Sequence, residues 1–187
     1  MRLVLISHAA TAAVRAAAFP RDEPLDAGGQ ADAAALAGAS FGRLHRVLTS
    51  PARSCRATAT ALRLTAEVEP ALRDADPGRW AGRALDEVAA AEPDAVSAWV
   101  TDPAVAPPGG ESVAQVRARV TAWAAGLPES SGGTLAVTHP AVIRVLVLAA
   151  LDAPDTGFWR LDVPPLTRTV LRGHGDRWTV RAVAAPI

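Results

Sequence analysis

Histidine is the one side chain that gains and loses a proton near neutral pH, and it also serves as a nucleophile and a metal ligand, so its placement is informative. Two of the chain's four histidines share a setting. His8 follows the apolar run Leu3-Val4-Leu5-Ile6 and Ser7, and His139 follows Thr134-Leu135-Ala136-Val137 and Thr138. A third short run, Val47-Leu48, ends at Thr49-Ser50. Continuous apolar runs bounded by polar residues read as parallel strands buried on both faces. Ligands of open α/β sheets bind in the crevice outside the strand C-terminal ends. One histidine there would be incidental, whereas two at equivalent strand ends mark a candidate site. His45 and His174 fall outside these positions and are expected at the surface.

The elements between these strands are helical. Gln30 to Gly38 carries strong helix formers and stops at glycine. Ser50 is suited to cap a helix, with Pro51 in its first position, over Ala52 to Leu64. Leu85 to Ala91 and Asp94 to Val100 read as short helices divided by Pro93, and Asp102 to Gly110 as a loop. Glu111 to Ala125 has Val113, Val116, Val120 and Trp123 at helical spacing. Ser130 to Gly133 is a turn signal, Ala141 to Leu151 a helix, and Thr169 to Leu171 with Trp178 to Val180 a late strand pair. Strands alternating with helices imply an α/β sandwich. No linker divides the chain, and 187 residues suit one domain, 1–187.

Composition excludes several classes. Nineteen basic residues balance nineteen acidic ones, which leaves no bulk charge for nucleic acid or an anionic membrane, so any anion site must be local. The N-terminal and 145–151 apolar runs are too short for a signal peptide or a membrane span. The lone Cys55 excludes an internal disulfide and a cysteine zinc cluster, and a reducing cytoplasm fits. Cys55 itself, and the five tryptophans, are expected to pack in the core or along cleft walls.

Five ordered segments carry a resemblance: LVLISHAAT with DEPLDAGG, TSPARSCRATATAL, LRDADPGRWAG, PPGGES and VTHPAVIR. Together they resemble the histidine phosphatase superfamily, also called phosphoglycerate mutase-like, over nearly the whole chain. The resemblance implies a three-layer α/β/α sandwich with a mostly parallel central sheet, and a small phosphorylated substrate without cofactor or metal. It implies that His8 accepts the phosphoryl group, that Asp74 is proton donor and then base, and that a charged His139 stabilises the equatorial oxygens. Thr11 falls on the family's threonine. The run WVTDPAVAPPGGES is particularly similar to α-ribazole phosphatases, and the short segment from Trp80 to Pro107 suits small-metabolite phosphatases better than mutases.

The chain departs from the family at the cationic surround of His8. Ser7 stands where the motif arginine precedes the histidine, Ser54 stands for the arginine after Ser-Pro, and Pro140, without an N–H, replaces the glycine after the second histidine. Serine offers one neutral hydroxyl in place of a bidentate, permanently charged fork. Arg15 and Arg21, in the loop after the first strand, could restore a guanidinium or be solvated. Arg144 is expected to cap or pair inside the fold. The reading is therefore a phosphomonoester hydrolase with Ser7, Thr11, Arg15, Arg21 and Ser54 around its substrate. The alternatives are a relative that binds a ligand or partner without turnover, and an acid-base enzyme using the same crevice with Ser7 and Ser54 as neutral donors.

Overall fold

Leu3, Val4, Leu5 and Ile6 are all buried, as a strand covered on both faces requires. In the computed structural model, which describes residues 1–128, 132–174 and 177–187, they lie in β1 (Arg2–Ser7). There follow α1 (Ala12–Arg15), α2 (Ala27–Ala35), β2 (Leu44–Thr49), α3 (Arg53–Ala61) and β3 (Glu67–Val68). Next come α4 (Leu85–Ala91), α5 (Pro93–Thr101), α6 (Val113–Ala125) and β4 (Gly133–Thr138). The chain closes with α7 (Pro140–Ala150), β5 (Thr167–His174) and β6 (Arg177–Pro186). Short 3-10 turns occupy Pro70–Leu72, Gly78–Trp80 and Asp155–Arg160.

The sheet order is β3-β2-β4-β1-β5-β6. The first four strands are parallel, and β5 and β6 are antiparallel. Side chains of β1 alternate between faces, so Leu3 and Leu5 join a core with α6 and α7, while Val4 and Ile6 join one with Cys55, Ala59 and Leu62 around α3. Helix, sheet and helix thus form three layers, a mixed α/β architecture with a mostly parallel sheet. Among the described residues, no helix is long and apolar enough to cross a membrane.

Several boundaries differ from the sequence reading for local reasons. The second helix spans 27–35, not 30–38, because the Asp26 carboxylate caps it by accepting from Gly29 N at 2.7 Å. The residue capping α3 is Ala52, with no side-chain hydrogen bond of its own. Ser50 lies two residues further back, and its hydroxyl meets a histidine (below). Ser112 caps α6 in a reciprocal box with Gln115. Of the predicted 130–133 turn, Ser130 and Ser131 lie outside the described residues.

Candidate active site

Because β1 and β4 are adjacent and parallel in register, Ser7 lies beside Thr138, and the residues that follow, His8 and His139, leave the sheet at the same edge. The loop after β1 is tightly held: His8 N donates to Thr138 O (3.0 Å), Ala9 N donates to the Thr58 hydroxyl (3.0 Å), and Asp26 N donates to Ala10 O (3.2 Å). A Cβ on Gly29 would stand 2.2 Å from Ala10 O, so only glycine lets α2 close on this loop.

His8 Nδ1 lies 2.8 Å from the carbonyl oxygen of Ala9. A carbonyl can only accept, so the proton of the neutral ring sits on Nδ1 and Nε2 keeps its lone pair. Burial, with His139 next to it, pulls the His8 pKa below its ordinary value despite the Ala9 bond and the nearby Asp74 carboxylate. His139 packs edge-on against His8, ring centroids 5.1 Å apart at 67°. Its Nε2 is 2.8 Å from Ser50 Oγ and 3.4 Å from Cys55 Sγ, and its Nδ1 is 3.4 Å from Asp74 Oδ2.

The resemblance implies a positively charged His139 once a phosphoryl group is bound, whereas the pocket by itself favours the neutral ring. Burial, reinforced by the Arg119 charge, depresses its pKa to about 3, so the ring is neutral here. Asp74 is shifted the other way. Burial raises its pKa to about 6, against the opposing pull of His8, the Ala75 N–H, Arg119 and Arg144. A carboxyl poised near 6 can deliver a proton at neutral pH.

The substrate-side residues are more dispersed. Thr11 caps α1 and donates to Glu23 (2.9 Å). Ser7 is buried, and its hydroxyl has no hydrogen-bond partner among the described residues. Ser54 is buried within α3. Arg15 pairs with Asp26, and Arg21 donates to Ala81 O (2.9 Å), so neither guanidinium lines the cavity beside His8. Burial pushes up the pKa of the Cys55 thiol, which suits packing and not nucleophilic attack. His45 and His174 are exposed.

That cavity, about 490 Å³, begins at His8, Asp74 and Pro140 and continues between Phe19, Trp99, Phe158 and Trp159. Among the described residues its one basic lining group is Arg144, against Asp74, Asp76 and Glu111. Glu111 is tied to Arg119 and Arg73. Arg144 Nε donates to Leu161 O (2.7 Å), and its guanidinium carbon lies 5.3 Å from the Phe158 ring centre. It thus pairs inside the fold, as expected, yet also reaches the cavity. The contributions of Ser50, Arg119 and Arg144 escaped the sequence reading. Ser50 carried a signal, as a polar residue at a third strand end, but the β2-β4 adjacency that aims it at His139 is not written in local sequence.

Residues 3–186 match the histidine phosphatase superfamily (branch 1). The bifunctional protein Rv2228c of Mycobacterium tuberculosis is 31% identical over 153 residues, covering 79% of this chain and 42% of that protein, so this chain spans less than half of its length. The mycobacterial glucosyl-3-phosphoglycerate phosphatase Rv2419c, in complex with VO3, superposes with a TM-score of 0.87 at 29% identity over 98% of each chain. The α-ribazole phosphatase of Shigella flexneri, 24% identical with a TM-score of 0.83 over 100% of this chain and 98% of its own, shares the fold. With the match running from β1 to the last strand, this chain belongs to the histidine phosphatase superfamily.

Proposed function

We propose that the chain, as one domain over residues 1–187, is a phosphohydrolase that acts on a small phosphomonoester through a phosphohistidine. The observation carrying this reading is the His8 Nδ1 to Ala9 carbonyl bond, which leaves Nε2 unprotonated and oriented at the end of a buried strand. Nε2 attacks phosphorus in line, an N–P bond forms as the P–O ester bond breaks, and Asp74 gives its proton to the departing alkoxide. Asp74, now a carboxylate, takes a proton from water as water attacks the phosphohistidine, releasing inorganic phosphate and neutral His8. His139 faces the same corner, and a phosphoryl dianion beside it raises its proton affinity, so that it gains charge when the substrate supplies the counter-charge.

Incubation with a phosphomonoester, followed by mass spectrometry in alkali, should find the label on His8, and His8→Ala should abolish it. Label on another residue, or undiminished turnover in folded His8→Ala protein, would overturn the assignment. A specific observation favours a second reading. With Glu111 already paired to Arg119 and Arg73, Arg144 is the one guanidinium on the described cavity wall and faces Asp74 and Asp76, a sparse positive surround for a dianion, and this suits ligand binding without turnover or acid-base chemistry on a less anionic substrate. Phosphate or vanadate inhibition at millimolar concentration or below supports the hydrolase, and indifference to both supports the second reading.

A further inference from the structure

The wall of the cavity away from His8 differs in chemistry from the catalytic corner. On the side of α1 and α4, Ala13, Val14, Ala17, Ala18, Phe19 and Leu85 contribute no polar side-chain atom. Facing them, Trp99 makes ring contacts with Phe19 (centroids 5.5 Å apart) and Trp159 (4.4 Å). The apolar surface continues to the outside, where Val14 (44% exposed), Leu85 (40%) and Trp159 (38%) are among the chain's most exposed large hydrophobic residues and all belong to this cavity. Apolar surface left open at one mouth marks a place where something apolar binds.

We propose that this cavity selects phosphomonoesters whose alcohol portion is a large, mostly apolar, ring-bearing group, and discriminates against sugar phosphates. The selection follows from desolvation. A ring laid along Phe19, Trp99 and Leu85 removes apolar surface from water on both sides. A sugar in the same position gives up the water on its hydroxyls and meets alanine, valine and leucine methyl groups that cannot replace it. Volume agrees, since about 490 Å³ holds a bicyclic group beside the phosphoryl group. The inference rests on the phosphohydrolase reading for its phosphoryl group, while the wall itself acts on the alcohol.

The test compares three esters of primary alcohols, which keeps leaving-group chemistry close: glucose 6-phosphate, 2-phenylethyl phosphate and 2-(2-naphthyl)ethyl phosphate. kcat/KM should rise along this series, by about tenfold or more from first to last, the range that apolar pocket contacts command. Val14→Asn and Leu85→Asn, at partly exposed positions on this wall, should each cut that ratio several-fold, chiefly by lowering kcat/KM for the naphthyl ester. A ratio of one or below, or a ratio unmoved by both variants, overturns the proposal. Calorimetry with the corresponding non-hydrolysable phosphonates separates it from the catalytic reading. Tighter binding of the naphthyl phosphonate than of the glucose phosphonate upholds the selectivity even if no ester is turned over, and equal binding in that case removes it.

Discussion

Opposed proton affinities of two touching side chains dominate chemistry at the residue scale. Asp74, with its pKa raised to about 6, must be protonated to act as an acid. For an alkyl phosphate with a poor leaving group, kcat/KM should fall about tenfold per pH unit above 6, while p-nitrophenyl phosphate, which needs no proton, should show a much flatter profile. Stability carries the same signature with worked signs. His139, lowered to about 3, stays neutral in the fold where the unfolded chain would protonate, so its contribution is lost as pH falls from about 6.5 toward 3. Asp74 holds a proton in the fold that the unfolded chain releases between about 4 and 6, so its contribution is lost as pH rises through that window. Thermal melts from pH 4 to 8 should show His139→Gln blunting the acid loss and Asp74→Asn raising Tm above pH 6. The two serines give a further prediction. Ser7→Arg with Ser54→Arg should raise kcat/KM on p-nitrophenyl phosphate by on the order of 10², the worth of one oxyanion donor or more. Both sites are buried, so the melting curve of the double variant must be intact for the comparison to count. At this scale the histidines and their strand ends were legible in sequence, because an apolar run announces itself. Protonation states were not, since they depend on burial and on Arg119, contributed by α6.

Elements bring these residues together through close backbone approaches. The N-terminal turn of α2 rests on the Ala10 carbonyl at Gly29, and the 76–78 turn rests on 108–110, where a Cβ at Gly110 would lie 2.3 Å from Asp76 O. Gly29→Ala must therefore displace the loop that carries His8. A loss of about 1–3 kcal/mol in denaturant unfolding, with a fall in turnover beyond what instability explains, is the expected result. Ser112→Ala should cost about 1 kcal/mol by opening the capping box of α6, measured in the same way. Sequence reading found most helices and strands but started α2 three residues late. Gly28 and Gly29 look like loop until the Asp26 cap and the Ala10 contact are known. It passed over β3, whose two residues, Glu67 and Val68, are too short to show alternation. It also assigned Ser50 to a helix cap, since a Ser-Pro pair reads locally as a helix start; the hydroxyl does accept from Ala52 N (3.3 Å), but it also faces His139 at the end of the neighbouring strand.

Across the whole molecule, β1 and β4 share both cores, and truncation on either side should destabilise the entire sheet. Ile143→Ala, at a fully buried position in α7, should cost about 2–5 kcal/mol. If residues 1–187 fold as one domain, calorimetric and van't Hoff enthalpies will agree in wild type and variant alike. The layered α/β class was legible from alternation alone, but strand order was not, because pairing between β2 and β4 joins segments about 90 residues apart. The same long reach assembles the aromatic chain from Phe19, Trp80, Trp99, Trp159 and Phe158, whose neighbouring rings stand 4.4 to 5.6 Å apart. Transition dipoles at such separations couple, so light absorbed at one indole migrates among the three tryptophans and the near-ultraviolet circular dichroism carries their joint band. Trp80 is sealed in the interior while Trp99 and Trp159 form the cavity wall. The molecule therefore contains its own optical gauge, in which whatever settles beside His8 alters the emission of a chromophore chain that runs from the wall into the core.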